Sequence, residues 1–333
     1  MPVDILDSQR GILGVLETTS GTYVAPTAAA FLQTTGLKGA SNESDKKSIK
    51  FDSFGRPQTK SFASKKHRKI PAFGVPISWP AAAPTATTNL LACSPFMEAC
   101  GASAPVLVAA TTVAPIVPAH VRYTELDDAN AVKSMSLSQR LRRSATQHYE
   151  RQMSNSRGIQ KFSWKAGEVP KFEFEFWGNW QAQAQVAAIT PTVGTQITNI
   201  AQPSNATNTI NALLNAKGLC LSEISDDNLW RMKVAVIESL CGTGPKHDIL
   251  EDSSVSVTFK MPDIAGEFNP DIYWGRDYPF EFTLKGDGAL NVRSLRFSWS
   301  LMNVEKVDEV AVDGWVYIKT QLTKLAPLVL QHF

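Results

Sequence analysis

The sequence predicts a mainly β, antiparallel fold with one or two short helices. Three observations carry that prediction. Phe172, Phe174 and Phe176 alternate with Lys171, Glu173 and Glu175, and the same period of two recurs at residues 255–261, 280–285 and 295–301. Successive strand side chains point to opposite faces, so this is the pattern of a sheet with one face buried. Gly- and Pro-bearing turns separate the runs, as at Ala166–Pro170, Asp263–Gly266 and Gly286–Gly288. Helical spacing occurs in one stretch only, Asn89–Ala102, where Gly101 stands at the expected stop.

The elements follow in order. Gly11–Thr18 reads as a short strand, and Ser20–Thr27 as turn chemistry. Residues 38–69 are polar and charged with few apolar anchors, which predicts a long mobile loop. Ile70–Trp79 alternates as a strand, placed at an edge by Pro71 and Pro76. Pro95 would strain the helix at 89–102 unless it begins a second segment. Cys100–Val121 is uncharged but interrupted by Pro105, Pro115 and Pro118, so it reads as an extended loop and not a membrane helix. Alternation governs residues 131–180, and residues 181–214 form a crossing segment. Met232–Ile237, Val310–Val312 and Trp315–Tyr317 complete a second β half at 215–333. That half is either the rest of one 1–333 unit or an added domain.

Composition narrows the function. The chain has 333 residues, a net charge of +2 and 19% charged residues, against about 25% in typical domains. A near-neutral chain lacks the basic excess of a general nucleic-acid binder and has no bulk attraction to anionic membranes. Low charge fits a surface hidden in the fold or between subunits. Met1–Arg10 has no apolar core of a secretory signal, so a chain made and kept in the cytoplasm is expected. Cys93, Cys100, Cys220 and Cys241 lack zinc-ligand spacing and read as buried free thiols.

Catalytic motifs are absent: there is no G-x-S-x-G and no H-E-x-x-H. Cys241–Lys246 reads as a plain turn, because Pro245 removes an N–H that a phosphate loop needs. The five histidines are scattered and read as surface residues; Asp127-Asp128 and Asp226-Asp227 read as solvated turns. Trp164, Trp177 and Trp180 read as core or interface residues. Two basic clusters, Lys65, Lys66, Arg68 and Lys69, and Arg140, Arg142 and Arg143, suit a solvated loop or a salt-bridged subunit contact. No catalytic, cofactor or metal set emerges, so a binding or structural protein is expected, and not an enzyme.

Three segments add a resemblance. Gly11–Thr22, with its E-T-T-S-G-T turn, leads into Pro26–Ala30. Residues 91–102 end on Ala99-Cys100-Gly101. Residues 157–178 carry R-G-x-x-x-F-x-x-x-A-G-E-x-P-x-x-x-F-x-F-x-G, with Gly167, Glu168, Pro170, Phe172, Phe174 and Phe176 as its hairpin signature. Together and in this order they resemble the major tail (tail tube) proteins of long-tailed bacteriophages. The resemblance implies a β-sandwich protomer that assembles into stacked six-fold rings, with sheets of adjacent protomers joining into a continuous β-barrel. It implies the tape measure protein, tail terminator and distal tail proteins as partners, and genomic DNA passing the lumen unbound. It also implies assembly in the host cytoplasm and residence in the virion tail. A lumen slippery to DNA needs neutral or acidic side chains, and Ser134, Ser136, Ser138, Lys171, Glu173 and Glu175 are the candidates. Residues 38–69 are the candidate inter-ring arm, and the two basic clusters candidate inter-ring or subunit contacts. The alternatives are a single-ring hub or baseplate protein of the same fold, and a carbohydrate-binding β-sandwich using Trp177, Trp180 and Trp274.

Overall fold

The computed structural model of the chain describes residues 10–51, 58–84, 88–113, 117–190, 196, 198–201, 211–239, 242–260, 273–286, 293–312 and 315–333. Strands account for 59% of the chain and helix for 5%, which places it in the mainly β class. The first half contains β1 (Arg10–Leu16), β2 (Phe31–Leu32), β3 (Ser41–Phe51), β4 (Gln58–Pro76), the helix α1 (Ser94–Glu98), β5 (Val106–Val108), β6 (His120–Thr124), β7 (Met135–Arg142), β8 (Gln147–Lys165) and β9 (Lys171–Trp180). The second half contains β10 (Ala184–Ala187), β11 (Asn211–Leu214), β12 (Lys217–Gly218), β13 (Leu221–Asp226), β14 (Met232–Ser239), β15 (Gly242–Ile249), β16 (Ser254–Lys260), β17 (Asp277–Lys285), β18 (Ser294–Val312), β19 (Trp315–Lys324) and β20 (Leu328–His332).

Every pairing between these strands is antiparallel. One layer runs β3–β4–β9–β8. Beyond β8 it continues to β7 and β1 along one stretch and to β13 along the other. The facing layer runs β11–β17–β18–β20–β6–β5. The long strand β18 pairs in its second part with β19, and β19–β16–β13 leads back to β8, so one curled sheet supplies both layers. The ladder has no closing pair among the described residues.

Aromatic rings fill the space between the layers. Phe162 of β8 lies 4.7 Å from Phe297 of β18 and 5.7 Å from Phe282 of β17. Phe172, Phe174 and Phe176 are at most 1% exposed, as their alternation predicts. Strands of the second half bond to the first at three places, β10 and β13 on β8 and β20 on β6, and one apolar core spans both.

Several expectations change. Residues 38–69 hold a hairpin, β3 against the first part of β4, where a mobile loop was expected. Among the described residues, the stretch of β4 up to His67 pairs with β3 and no other strand, so the hairpin is a two-stranded ribbon. Its sequence is dominated by Ser, Lys and other polar residues, which is why periodicity missed it. Ile70–Pro76 keeps its edge placement among the described residues: β9 pairs with one side, β3 stops at Lys69, and an isolated bridge from Thr35 to Gly74 is the other side's contact. The ladder tolerates Pro71 through a register shift between Ile70 and Phe73, where no N–H is required. The helix shortens to five residues, with Pro95 in its first turn where the missing N–H costs nothing, and Gly101 follows at φ +114°. Residues 242–246 belong to strand β15, not to a turn. Asp263–Gly266 and Asp287-Gly288 lie outside the described residues.

Candidate functional site

The first feature is a buried carboxylate at the end of β1. Glu17, 9% exposed, accepts from the hydroxyls of Ser134 (2.7 Å) and Ser136 (2.9 Å) and from the backbone N–H of Gly21 (2.7 Å) and Asn155 (2.8 Å). Hydrogen bonds to a charged acceptor are roughly twice as strong as neutral ones, so this residue ties the 17–22 turn to β7 and β8. Glu150, 2% exposed, does the same one step along: it accepts from Ser138 and Arg140 on one oxygen and from Gln152 on the other. The hydroxyl face of β7 is therefore interior. Ser134, Ser136 and Ser138 are at most 4% exposed and line no open surface of the protomer, contrary to expectation.

The second feature is how the three resembling segments meet. A methyl at Gly14 of β1 would fall 2.6 Å from Phe96 of α1. Phe96 packs at 6.0 Å on Phe174 and 5.8 Å on Phe176 of β9. The Gly158 N–H of β8 donates to the carbonyl of Ala99 at 3.1 Å, and a methyl there would sit 2.7 Å from both the Glu175 carbonyl oxygen and the Phe176 ring. Residues 11–22, 91–102 and 157–178 thus form one packed unit.

The third feature is the outer face of β9. Lys171 pairs with Glu173 at 2.9 Å, and Lys69 pairs with Glu175 at 2.7 Å while lying 5.0 Å from the Trp177 ring. These half-exposed side chains give the face mixed charge. Lys65 and Lys66 belong to the β4 side of the ribbon. Arg68 and Arg140 turn inward, where a solvated loop or a subunit contact was expected. Arg68, 3% exposed, donates to Asn42 and to the Gln152 carbonyl, and burial lowers its pKa to about 10. Arg140 is held by Glu150. Arg142 stays exposed, and Arg143 lies over the Tyr149 ring at 5.2 Å.

The remaining candidates scatter. Trp177 and Trp180 are three residues apart on β9 and so face opposite sides, while exposed Trp274 donates to the Glu305 carbonyl at 3.0 Å. No ring contact joins any two of them among the described residues, which leaves the sugar platform unbuilt. The histidines are not surface residues: His67, His120, His247 and His332 are buried and His148 is half-buried. Burial lowers the pKa of His247 and of His332 to about 4, with the charges of Arg157 and Arg293 respectively adding to the effect. Cys93 and Cys100 are buried as expected, Cys220 is exposed, and Cys241 lies outside the described residues.

Asp226 is not solvated; it forms a fully buried pair with Lys324 at 2.6 Å. Burial holds the Lys324 ammonium below its ordinary pKa, and Asp226 opposes that shift. The sequence carried one signal for this pair: Lys324 continues the inward face of Ile318, Thr320 and Leu322 on β19. Among the described residues no three metal-ligating side chains converge, and no helix is long and apolar enough to cross a membrane. Comparison with protein-family models and with curated proteins gives no match for this chain.

Proposed function

We propose that the chain is the structural subunit of a phage tail tube, which stacks as rings into a channel for genome delivery. The observation that carries this reading is the packing of residues 11–22, 91–102 and 157–178 onto one another. The segments that carry the resemblance are far apart in sequence yet share one core through Gly14, Phe96, Phe174, Phe176 and Gly158. The β3–β4 ribbon adds support, since a two-stranded hairpin is marginal on its own and gains stability against a neighbour. Of the lumen candidates, Lys171, Glu173 and Glu175 keep the accessible placement the role needs. In this reading the tape measure protein fills the tube during assembly, terminator and distal tail proteins close its ends, and DNA passes without specific contacts.

Negative-stain microscopy of the purified protein is the direct test. Tubes support the proposal, isolated rings assign the chain to a hub or baseplate ring, and monomers that saturate with glycan assign it to carbohydrate binding. Removing residues 45–64, the part of the ribbon beyond the β9 contact, is expected to leave rings or monomers. Long tubes from that variant would refute the inter-ring role.

A further inference from the structure

Antiparallel register assembles a cationic groove that no single stretch of sequence encodes. Arg140 and Arg142 share one face of β7, and β8 places Glu150 opposite Arg140 and His148 opposite Arg142. Gly11 of β1 stands beside Arg140 with no side chain to cover it, and β10 places Val186 beside His148. The result is a groove of about 460 Å³ lined by Arg10, Arg140, Arg142 and His148. Leu13, Phe31 and Ile189 give it an apolar side.

The charge of Arg142 in this groove is not balanced by the carboxylate beside it. Glu150 neutralises Arg140, but its oxygens are taken by Ser138, Arg140 and Gln152. Tyr23 also borders Glu150 and Arg140; it is a neutral phenol, and burial raises its pKa further. No carboxylate lies within ion-pair distance of Arg142 among the described residues. His148 Nδ1 is buried without a hydrogen-bond partner among the described residues. The His148 pKa is lowered first by burial and then by the charges of Arg140 and Arg142, which shows the sign of the local field.

We infer that this groove is a binding site for an oxyanion, a phosphate or carboxylate group carried on a small apolar body, with Arg142 as its main ligand and His148 beside it. A guanidinium matches either group with paired N–H donors. The apolar wall accounts for the part of the ligand that is not charged.

The test is a pH titration of the full chain with isotope-labelled histidine, read by NMR, in the absence of anion, in millimolar phosphate and in millimolar acetate. The His148 signal is assigned by its loss in His148→Asn. A bound anion within a few ångströms favours the charged imidazole, so the His148 midpoint is expected to rise by about one pH unit at saturation. The response should saturate, vanish in Arg142→Ala, and persist in Lys233→Ala, whose lysine pairs with Asp248 away from the groove. A rise with phosphate alone identifies a phosphate site; a rise with acetate as well identifies a site that also takes carboxylates. If neither anion moves His148, or if Arg142→Ala responds like the parent chain, the inference is overturned.

Discussion

Replacing Lys324 by methionine isolates the buried ion pair. Lys324 and Asp226 side chains are 0% and 1% exposed and 2.6 Å apart. The ammonium also donates to the Asn228 carbonyl at 2.7 Å, so the lysine joins β19 to the 226–229 turn as well as to Asp226. At this separation and an effective dielectric of about 20, Coulomb attraction is about 6 kcal/mol. Desolvation of both ions offsets much of it, and replacing the whole pair by apolar groups is often near neutral. Removing only the cation has no such compensation. It leaves Asp226 buried, with the Asn228 N–H at 3.0 Å as its remaining donor, and the expected loss is about 3–5 kcal/mol. Urea unfolding at neutral pH reads this as a fall in midpoint at unchanged slope. The double variant Lys324→Met/Asp226→Leu should regain most of the loss. The reasoning fails if the single variant loses less than about 1 kcal/mol, or if the double variant is no more stable than the single.

Three further predictions follow from buried groups. The folded pKa of His247 and of His332 is about 4, below the unfolded value of about 6.5, so both stabilise the fold fully above pH 6.5. That stability drains as pH falls towards 4, by roughly 3 kcal/mol per histidine, and His332→Phe should flatten the fall in urea midpoints measured from pH 7 to pH 4. Gly158→Ala places a methyl 2.7 Å from the Glu175 carbonyl oxygen, and thermal unfolding should show a loss of about 1–3 kcal/mol, whereas an unchanged melting temperature would mean that β8 and β9 are farther apart. Glu17→Gln replaces a charged acceptor facing four donors by an amide that brings N–H groups of its own; a loss of about 2–3 kcal/mol is expected, with faster amide exchange at Gly21 and Asn155.

What the sequence concealed has one physical source. Period-two patterning reveals that the two faces of a strand differ, not which face meets water. On β9 the distinction is safe, because Phe172, Phe174 and Phe176 must be the inner set. On β7 it is not: Met135 and Leu137 fill the core on one side, while Ser136 and Ser138 on the other are covered by carboxylates reached through tertiary structure. A serine bonded to a buried glutamate and a serine bonded to water leave the same mark in sequence. The β3–β4 ribbon is the converse case, since its mostly polar, Ser- and Lys-rich sequence reads as loop although its backbone pairs as a hairpin. Register, which pairs Arg142 with His148, is a third quantity the pattern does not contain. The oxyanion groove exists only through that register, and a shift of one residue along β8 would turn His148 to the opposite face and dissolve the site.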